Sequence, residues 1–114
     1  MLLTKMKTNI PYTLEFMVGA MSNKRKIEES LYFSGVEQLE LLLDIELMLE
    51  EARLTDKQAQ VVELYFFNQY TQEEVSKKLG ISQQAVLDHI KKVKQKIKKV
   101  LKGWEDKDEK QFNR

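Results

Sequence analysis

The chain of 114 residues has 19 basic and 18 acidic side chains, a formal net charge of +1 and no cysteine. This length allows one modest hydrophobic core, and the lack of cysteine excludes disulfides, thiolate zinc sites and cysteine nucleophiles. No apolar run approaches the roughly 20 residues that span a bilayer. We therefore expect a cytoplasmic protein that has no membrane partner and needs no cofactor.

The charges are distributed unevenly along the chain. Residues 1–53 carry six basic and nine acidic side chains, whereas residues 54–114 carry 13 basic and nine acidic ones. Between Ser82 and Gly103, seven lysines are accompanied by one acidic residue, Asp88. A polyanionic partner is therefore expected to bind this part of the chain.

The N-terminal part carries the weakest structural signals. Apolar residues between Tyr12 and Val18 are compatible with a short amphipathic helix, whereas residues 22–26 are typical of a solvated loop. We divide the chain into an N-terminal segment without assigned structure (1–35), a folded domain (36–104) and a polar tail expected to fray (105–114).

Four helices are predicted further along, over residues 35–52, 56–67, 72–79 and 83–104. Three of them begin with Ser or Thr followed three residues later by Glu or Gln, a pattern typical of a capping box. These pairs are Ser34 with Glu37, Thr55 with Gln58, and Thr71 with Glu74. Because sustained strand-like alternation is absent, the predicted fold is all-α: a helix-turn-helix bundle of about four to five helices with a long C-terminal recognition helix.

The predicted helix 35–52 has apolar residues on two nearly opposite faces. One face carries Leu41, Ile45, Met48 and Leu49; the other carries Val36, Leu39, Leu43 and Leu47. A surface helix needs one apolar stripe, so the second face requires a cover. The N-terminal segment, a second copy of the chain and a partner protein are the candidates.

The last two predicted helices are separated by Gly80, Ile81 and Ser82. Glycine at the end of a helix readily adopts the left-handed conformation that stops it, and Ser82 can cap the next helix. Apolar residues are spaced to pack the two helices together: Val75, Leu79, Ile81, Val86 and Ile90. This arrangement is typical of the unit whose second helix enters the major groove of DNA.

The last helix is predicted to have a buried face and an outward face. The buried face contains Val86, Ile90, Val93, Ile97 and Trp104, and the outward face contains Gln84, Asp88, Lys91, Lys92 and Gln95. Glutamine amides can pair with adenine edges, and lysines neutralise phosphates. A lysine run alone is usually a solvated face, so the DNA prediction depends on the preceding helix-turn-helix.

Other residues are assigned no chemistry. His89 has no second histidine or cysteine with which to form a metal site. The aromatic residues Tyr65, Phe66, Phe67 and Trp104 are expected to be core residues rather than base-stacking platforms. The sequence shows no glycine-rich phosphate loop or catalytic pocket pattern, so we do not expect an enzyme.

Residues 54–97, LTDKQAQVVELYFFNQYTQEEVSKKLGISQQAVLDHIKKVKQKI, resemble region 4 of the sigma-70 family, and within it small sigma-like regulators of phages and mobile elements. The preceding LLLDIELMLEEA is similar to the helix that leads into that region. The resemblance also extends to response-regulator output domains and to sigma-4-like small proteins encoded beside the signal-recognition-particle GTPase. Residues 1–53 do not resemble the part of a sigma factor that melts the promoter, which argues against an autonomous sigma factor.

The resemblance implies where DNA would be contacted. It assigns Gln83, Gln84, Leu87, Asp88 and Lys91 to the groove, and Thr71 and Gln72 to the DNA backbone. We add Ser82 and Lys92 as neighbours on the same surface. Ser76 occupies a position at the helix crossing where the family usually has alanine.

Two hypotheses of function follow from these observations. The first is a sequence-specific transcription regulator that binds double-stranded DNA and recruits or modulates RNA polymerase. The second is an adaptor that uses the same fold to bind RNA polymerase or a ribonucleoprotein without reading sequence. In the first case we expect a homodimer, formed through the second stripe of helix 35–52 or through Val100, Leu101 and Trp104.

Overall fold

The structure is a computed structural model that describes residues 12–30 and 36–112, with side chains described for 12–30 and 38–106. Six α-helices occupy these ranges, and no strand is found in them. The helices are α1 Leu14–Ser22, α2 Lys24–Ser30, α3 Val36–Ala52, α4 Asp56–Val61, α5 Gln72–Leu79 and α6 Gln83–Phe112, and a π-helix Val62–Phe67 continues α4. The all-α helix-turn-helix prediction is confirmed.

Predicted and observed helices agree well from residue 36 onwards. The expected loop over residues 22–26 is wrong, because α1 ends at Ser22 and α2 begins at Lys24. The predicted end of the last helix at residue 104 is too early, because α6 continues to Phe112. The pair Ser34 and Glu37 lies outside the residues with described side chains.

Two capping boxes fix the starts of α4 and α5. Thr55 and Thr71 each accept a hydrogen bond at the side-chain oxygen from the amide three residues later, at 3.1 Å in both cases. The Gln58 and Glu74 side chains accept from the threonine amides in return, at 3.1 and 2.9 Å. Each box satisfies two amides that a helix start would otherwise leave unpaired.

The predicted helix 56–67 changes its hydrogen-bond pattern halfway. Its second part is the π-helix, which ends where the Asn68 amide donates to the Glu63 carbonyl five residues back, at 3.0 Å. Gln69 follows with a positive φ of 60°, a conformation that costs a residue with a side chain about 1–2 kcal/mol. The chain thereby turns sharply just before α5 begins.

The hydrophobic core draws residues from α1 and from every helix after α2. α1 contributes Met17, Ala20 and Met21, and Met17 and Met21 are fully buried. The other buried apolar residues are Ile45, Met48, Ala52, Val61, Val62, Phe66, Val75, Val86, Ile90, Val93, Ile97, Leu101 and Trp104. Residues 14–22 are therefore part of the same core as the helix-turn-helix.

Two hydrogen bonds connect α3 to other parts of the chain, one to Tyr12 just before α1 and one to Trp104 in α6. The Tyr12 hydroxyl donates to the buried Asp44 carboxylate at 2.8 Å, and the Trp104 indole donates to Glu51 at 2.8 Å. Burial, followed by the hydrogen bond and charge of Asp44, raises the pKa of the Tyr12 hydroxyl well above its usual value. Tyr12 also lies against Trp104, with 6.3 Å between ring centroids.

The two apolar faces of α3 have different environments. On the first face Ile45 and Met48 are fully buried. On the second face Leu39 and Leu43 keep 47% and 54% of their surface exposed, while Leu47 packs against the core. The described residues thus cover this second face only in part, because Leu39 and Leu43 stay exposed to solvent.

Candidate nucleic-acid interface

The corner between α5 and α6 is fixed by local hydrogen bonds. Gly80 has φ 68° and ψ 34°, the left-handed conformation that the sequence predicted. The Ile81 amide donates to the Ser76 carbonyl at 3.1 Å, and the Ser76 hydroxyl donates to the Ile81 carbonyl at 2.7 Å. Ser76 therefore stabilises the turn, a role for which alanine has no donor.

The start of α6 is capped by Ser82, whose side-chain oxygen accepts from the Ala85 amide at 3.0 Å. Three apolar residues then lock α6 against α5: Val75, Val86 and Ile90 are all buried, as predicted. Leu79 and Ile81 pack at the edge of this cluster. α6 is thus capped and packed against α5 from its first turn.

The two faces of α6 separate as the sequence predicted. Val86, Ile90, Val93, Ile97 and Trp104 are buried on the inner face. The proposed contact residues at the start of α6 and along its outer face are largely exposed: Ser82, Gln83, Gln84, Asp88, Lys91 and Lys92 are exposed, and Leu87 is half-buried. Gln84, Asp88, Lys91 and Lys92 belong to the outer face, whereas Ser82 and Gln83 lie at the helix start.

Two of the exposed residues are joined to each other. The Gln84 side-chain nitrogen donates to the Asp88 carboxylate at 3.2 Å, one helical turn apart. This bond occupies one amide hydrogen and leaves the Gln84 carbonyl oxygen, the second hydrogen and the remaining carboxylate lone pairs accessible. Gln84 and Asp88 therefore form one hydrogen-bonding group rather than two independent ones.

Thr71 and Gln72 lie at the start of α5, on the approach to the same corner. Thr71 is exposed and Gln72 is half-buried. The Thr71 oxygen accepts the capping bond from the Glu74 amide, so its hydroxyl hydrogen can still be donated to an outside acceptor.

The lysines of α6 fall into two groups. Lys91, Lys92, Lys98 and Lys99 are exposed, whereas Lys94 and Lys96 are half-buried. The Lys96 ammonium donates to the buried Gln58 side chain at 2.6 Å and to the Arg53 carbonyl at 3.3 Å. Lys96 is therefore a structural residue that helps to hold α6 against α4, a role that sequence spacing does not reveal.

His89 and the aromatic residues are the remaining residues that the sequence analysis considered. Nδ1 of His89 is buried and lacks a hydrogen-bond partner among the described residues. In the same ranges, no group of three or more His, Asp or Glu residues is arranged to hold a metal ion. Phe66 and Trp104 are buried, and Tyr65 and Phe67 pack on the core, so the prediction that these aromatics are core residues is confirmed.

One group of contacts near α5 was missed by sequence reasoning. Arg25 donates to the Asn68 side chain at 3.3 Å, Lys24 lies 4.8 Å from the centre of the Phe67 ring, and Gln69 donates to the Ser22 carbonyl. These contacts join α1 and α2 to the turn before α5. Local sequence patterns do not predict these contacts, because each contact joins residues more than 40 positions apart.

The helix-turn-helix lies within a segment that matches a known protein family. Residues 52–99 match the family model described as Sigma-70, region 4. This segment is sigma-70 region 4-like. The resemblance predicted over residues 54–97 is therefore confirmed, and the region 4-like segment contains α4, the π-helix, α5 and the first half of α6.

The same part of the chain is similar to several streptococcal proteins. It is 41% identical over 54 residues to a UPF0122 protein of Streptococcus equi subsp. zooepidemicus, a match that covers 47% of this chain and 44% of that protein. UPF0122 proteins of Streptococcus gordonii and Streptococcus pneumoniae show the same identity over the same length, with 46% of each covered. The chain thus spans less than half of the length of these relatives, and no solved structure matches it.

The described helices include none that combines the length and the apolar character needed to cross a membrane.

Proposed function

We propose that this protein is a sequence-specific DNA-binding regulator of transcription that reads the major groove with the first turns of α6. The observation that carries the proposal is the exposed side of α6, where Gln84 and Asp88 precede the exposed Lys91 and Lys92 after a helix-turn-helix corner that hydrogen bonds hold in place. In helix-turn-helix proteins, side chains near the start of the second helix usually contact base edges, and other polar or basic side chains bind phosphates. The residues of α6 are distributed in the same way.

The region 4-like character of residues 52–99 supports this proposal. In it, Thr71 and Gln72 bind the DNA backbone at the start of α5, while Ser82 and Leu87 complete the surface around the two glutamines. By the same resemblance, RNA polymerase is the partner that the bound protein recruits or modulates. A cytoplasmic location follows from that partnership.

Site selection from a random duplex library tests the proposal. The protein should enrich a defined sequence, and Gln84→Ala should relax the preference at one or two adjacent positions, since a well-placed side chain contributes about 1–3 kcal/mol of discrimination. Lys102→Ala, an exposed substitution further along α6, serves as the control and should leave the selected sequence unchanged. Failure of the unaltered protein to enrich any sequence would contradict the proposal.

A second candidate function is favoured by the exposed apolar pair on α3. Leu39 and Leu43 lie on a face that also carries Glu46 and Glu50, beside a shallow depression lined by Leu47 and Leu49. An adaptor that binds RNA polymerase or a ribonucleoprotein would use such a surface, and so would a homodimer.

Sedimentation distinguishes these uses of the α3 surface. A dimer at tens of micromolar that dissociates on Leu43→Ser supports self-association. A monomer supports polymerase or another partner as the cover. In the alternative dimer surface at the end of the domain, Leu101 and Trp104 are buried in the chain's own core and unavailable to a partner, while Val100 is half-buried.

A further inference from the structure

Beyond the region 4-like segment, α2 presents a cluster of basic residues beside the turn that precedes α5. Lys24, Arg25 and Lys26 are consecutive, and Arg25 and Lys26 are exposed. We infer that Arg25 binds a DNA phosphate next to the one contacted at Thr71, so that the N-terminal helices extend the DNA-binding surface. This inference rests on the proposed DNA-binding function and adds a contact outside the segment that resembles sigma-70 region 4.

The position of Arg25 is set by a neutral partner. Its guanidinium donates to the Asn68 side-chain oxygen at 3.3 Å, while the Asn68 side-chain nitrogen points to Glu63 at 3.5 Å. Among the residues that the structure describes, Arg25 makes no ion pair. A neutral acceptor thus orients the guanidinium and leaves its positive charge and most of its five donors available for an anion.

The distance to the proposed backbone contact is short. Asn68 precedes Thr71 by three residues, and three consecutive Cα–Cα steps span at most about 11 Å. The positive φ of Gln69 and the bond from its side chain to the Ser22 carbonyl fold this turn against the end of α1. In a helix-turn-helix the first helix crosses the DNA backbone, so a strand that reaches Thr71 continues past the turn to which Arg25 is bound.

Three carboxylates near this turn are engaged by other groups. Glu74 accepts from the Thr71 amide in the capping box, and Glu73 forms an ion pair with Lys77 at 3.4 Å. The Glu63 carboxylate accepts from the Asn68 side-chain nitrogen at 3.5 Å. None of these three carboxylates forms an ion pair with Arg25.

Lys24 provides a matched contrast on the same helix. Its ammonium is 3.1 Å from the Glu28 carboxylate and 4.8 Å from the centre of the Phe67 ring. Its charge is therefore already compensated within the protein. Arg25→Ala and Lys24→Ala remove the same formal charge from adjacent positions, but the inference assigns a phosphate contact to Arg25 alone.

The test measures duplex affinity against salt concentration for the full chain and for the Arg25→Ala, Arg25→Lys and Lys24→Ala variants. Each phosphate contact contributes about 0.9 to the slope of log affinity against log salt. Arg25→Ala should lower the slope by up to that amount, so that its loss of affinity at 0.1 M salt is up to about eightfold greater than at 1 M salt, equally for selected and random duplexes. Arg25→Lys should retain the slope, and Lys24→Ala should retain it within experimental error.

The outcomes separate this inference from the proposed function. If the unaltered protein binds duplex DNA and Arg25→Ala has the normal slope, or if Lys24→Ala loses as much as Arg25→Ala, the phosphate contact is wrong while the DNA-binding function stands. If the unaltered protein binds no duplex, both are wrong. Thermal unfolding of each variant identifies a merely structural role, in which Arg25→Ala lowers the melting temperature without changing the slope.

Discussion

In the segment from Thr71 to Ala85, the hydrogen bonds that shape the helix-turn-helix join residues three to five positions apart. The contacts that hold Tyr12, α1 and α2 are of another kind, since they join residues 32, 43 and 47 positions apart. The corner is thus specified locally, whereas the N-terminal helices depend on the completed core. This difference teaches that the two regions should respond differently to mutation: changes in the local geometry of the corner should destabilise the fold less than the loss of a buried side chain in α1.

The largest expected effect is in α1. Met21 is fully buried in the shared core, so Met21→Ala should lower the free energy of unfolding by about 2–5 kcal/mol, as typical large-to-small core substitutions do. Leu43→Ala, at an exposed position, should change it by less than about 0.5 kcal/mol. Urea unfolding measures both. A loss below about 1 kcal/mol for Met21→Ala would mean that α1 is not part of the cooperative core.

A smaller effect is expected at the corner. Gly80 has a left-handed conformation, and a Cβ there would meet no atom within 4 Å. Gly80→Ala should therefore cost about 1–2 kcal/mol through backbone strain alone. Gly80→Asn should cost less, because asparagine tolerates this conformation better. Equal losses for the two variants, measured by urea unfolding, would contradict strain as the cause.

Lys96→Ala should have a moderate effect on stability. It removes hydrogen bonds to Gln58 and to the Arg53 carbonyl, and one such bond contributes about 0.5–1.5 kcal/mol. The exposed Lys98 provides the control, and Lys98→Ala should leave the melting temperature nearly unchanged. Equal melting temperatures for Lys96→Ala and Lys98→Ala would show that Lys96 does not hold α6 against α4.

The smallest effect concerns pH. Because the folded protein raises the pKa of Tyr12 above its unfolded value near 10, the protonated hydroxyl stabilises the fold below pH 10, and this contribution is lost as the pH rises further. The difference between the urea midpoints of the unaltered protein and of Tyr12→Phe, followed from pH 9 to pH 11, should therefore stay constant up to about pH 10 and become smaller above it. All groups other than residue 12 are the same in both proteins, so the difference isolates the Tyr12 hydroxyl. A constant difference across this range would exclude Tyr12 as the titrating group.

The range of the contacts also explains which features the sequence predicts. The boxes at Thr55 and Thr71, the turn at Gly80 and the two faces of α6 follow from chemistry within a few residues, and the structure contains each of them. α2 has no buried residue to mark it, so its sequence is typical of a loop. The sequence does not predict the π-helix, because the spacing of its apolar residues is equally compatible with an α-helix.

The candidate site was predictable to the same extent. Exposure of Gln84, Asp88 and Lys91 follows from helical angles, and the Gln84–Asp88 bond follows from their spacing of one turn. The helical periodicity places Lys91 on the outward face and Lys96 elsewhere. It does not predict which groups Lys96 contacts. Those partners, Gln58 and the Arg53 carbonyl, are brought to Lys96 by the packing of α4 on α6.

The most direct test of the central claim, that the outer face of α6 binds DNA, compares Lys91→Ala with Lys96→Ala. Affinity is measured against salt concentration on the best selected site and on random duplex. The account predicts that Lys91→Ala lowers the slope by up to about 0.9 on both duplexes, whereas Lys96→Ala lowers stability and leaves the slope unchanged. Equal slopes for both variants, with no preference between the selected site and random duplex, would contradict it.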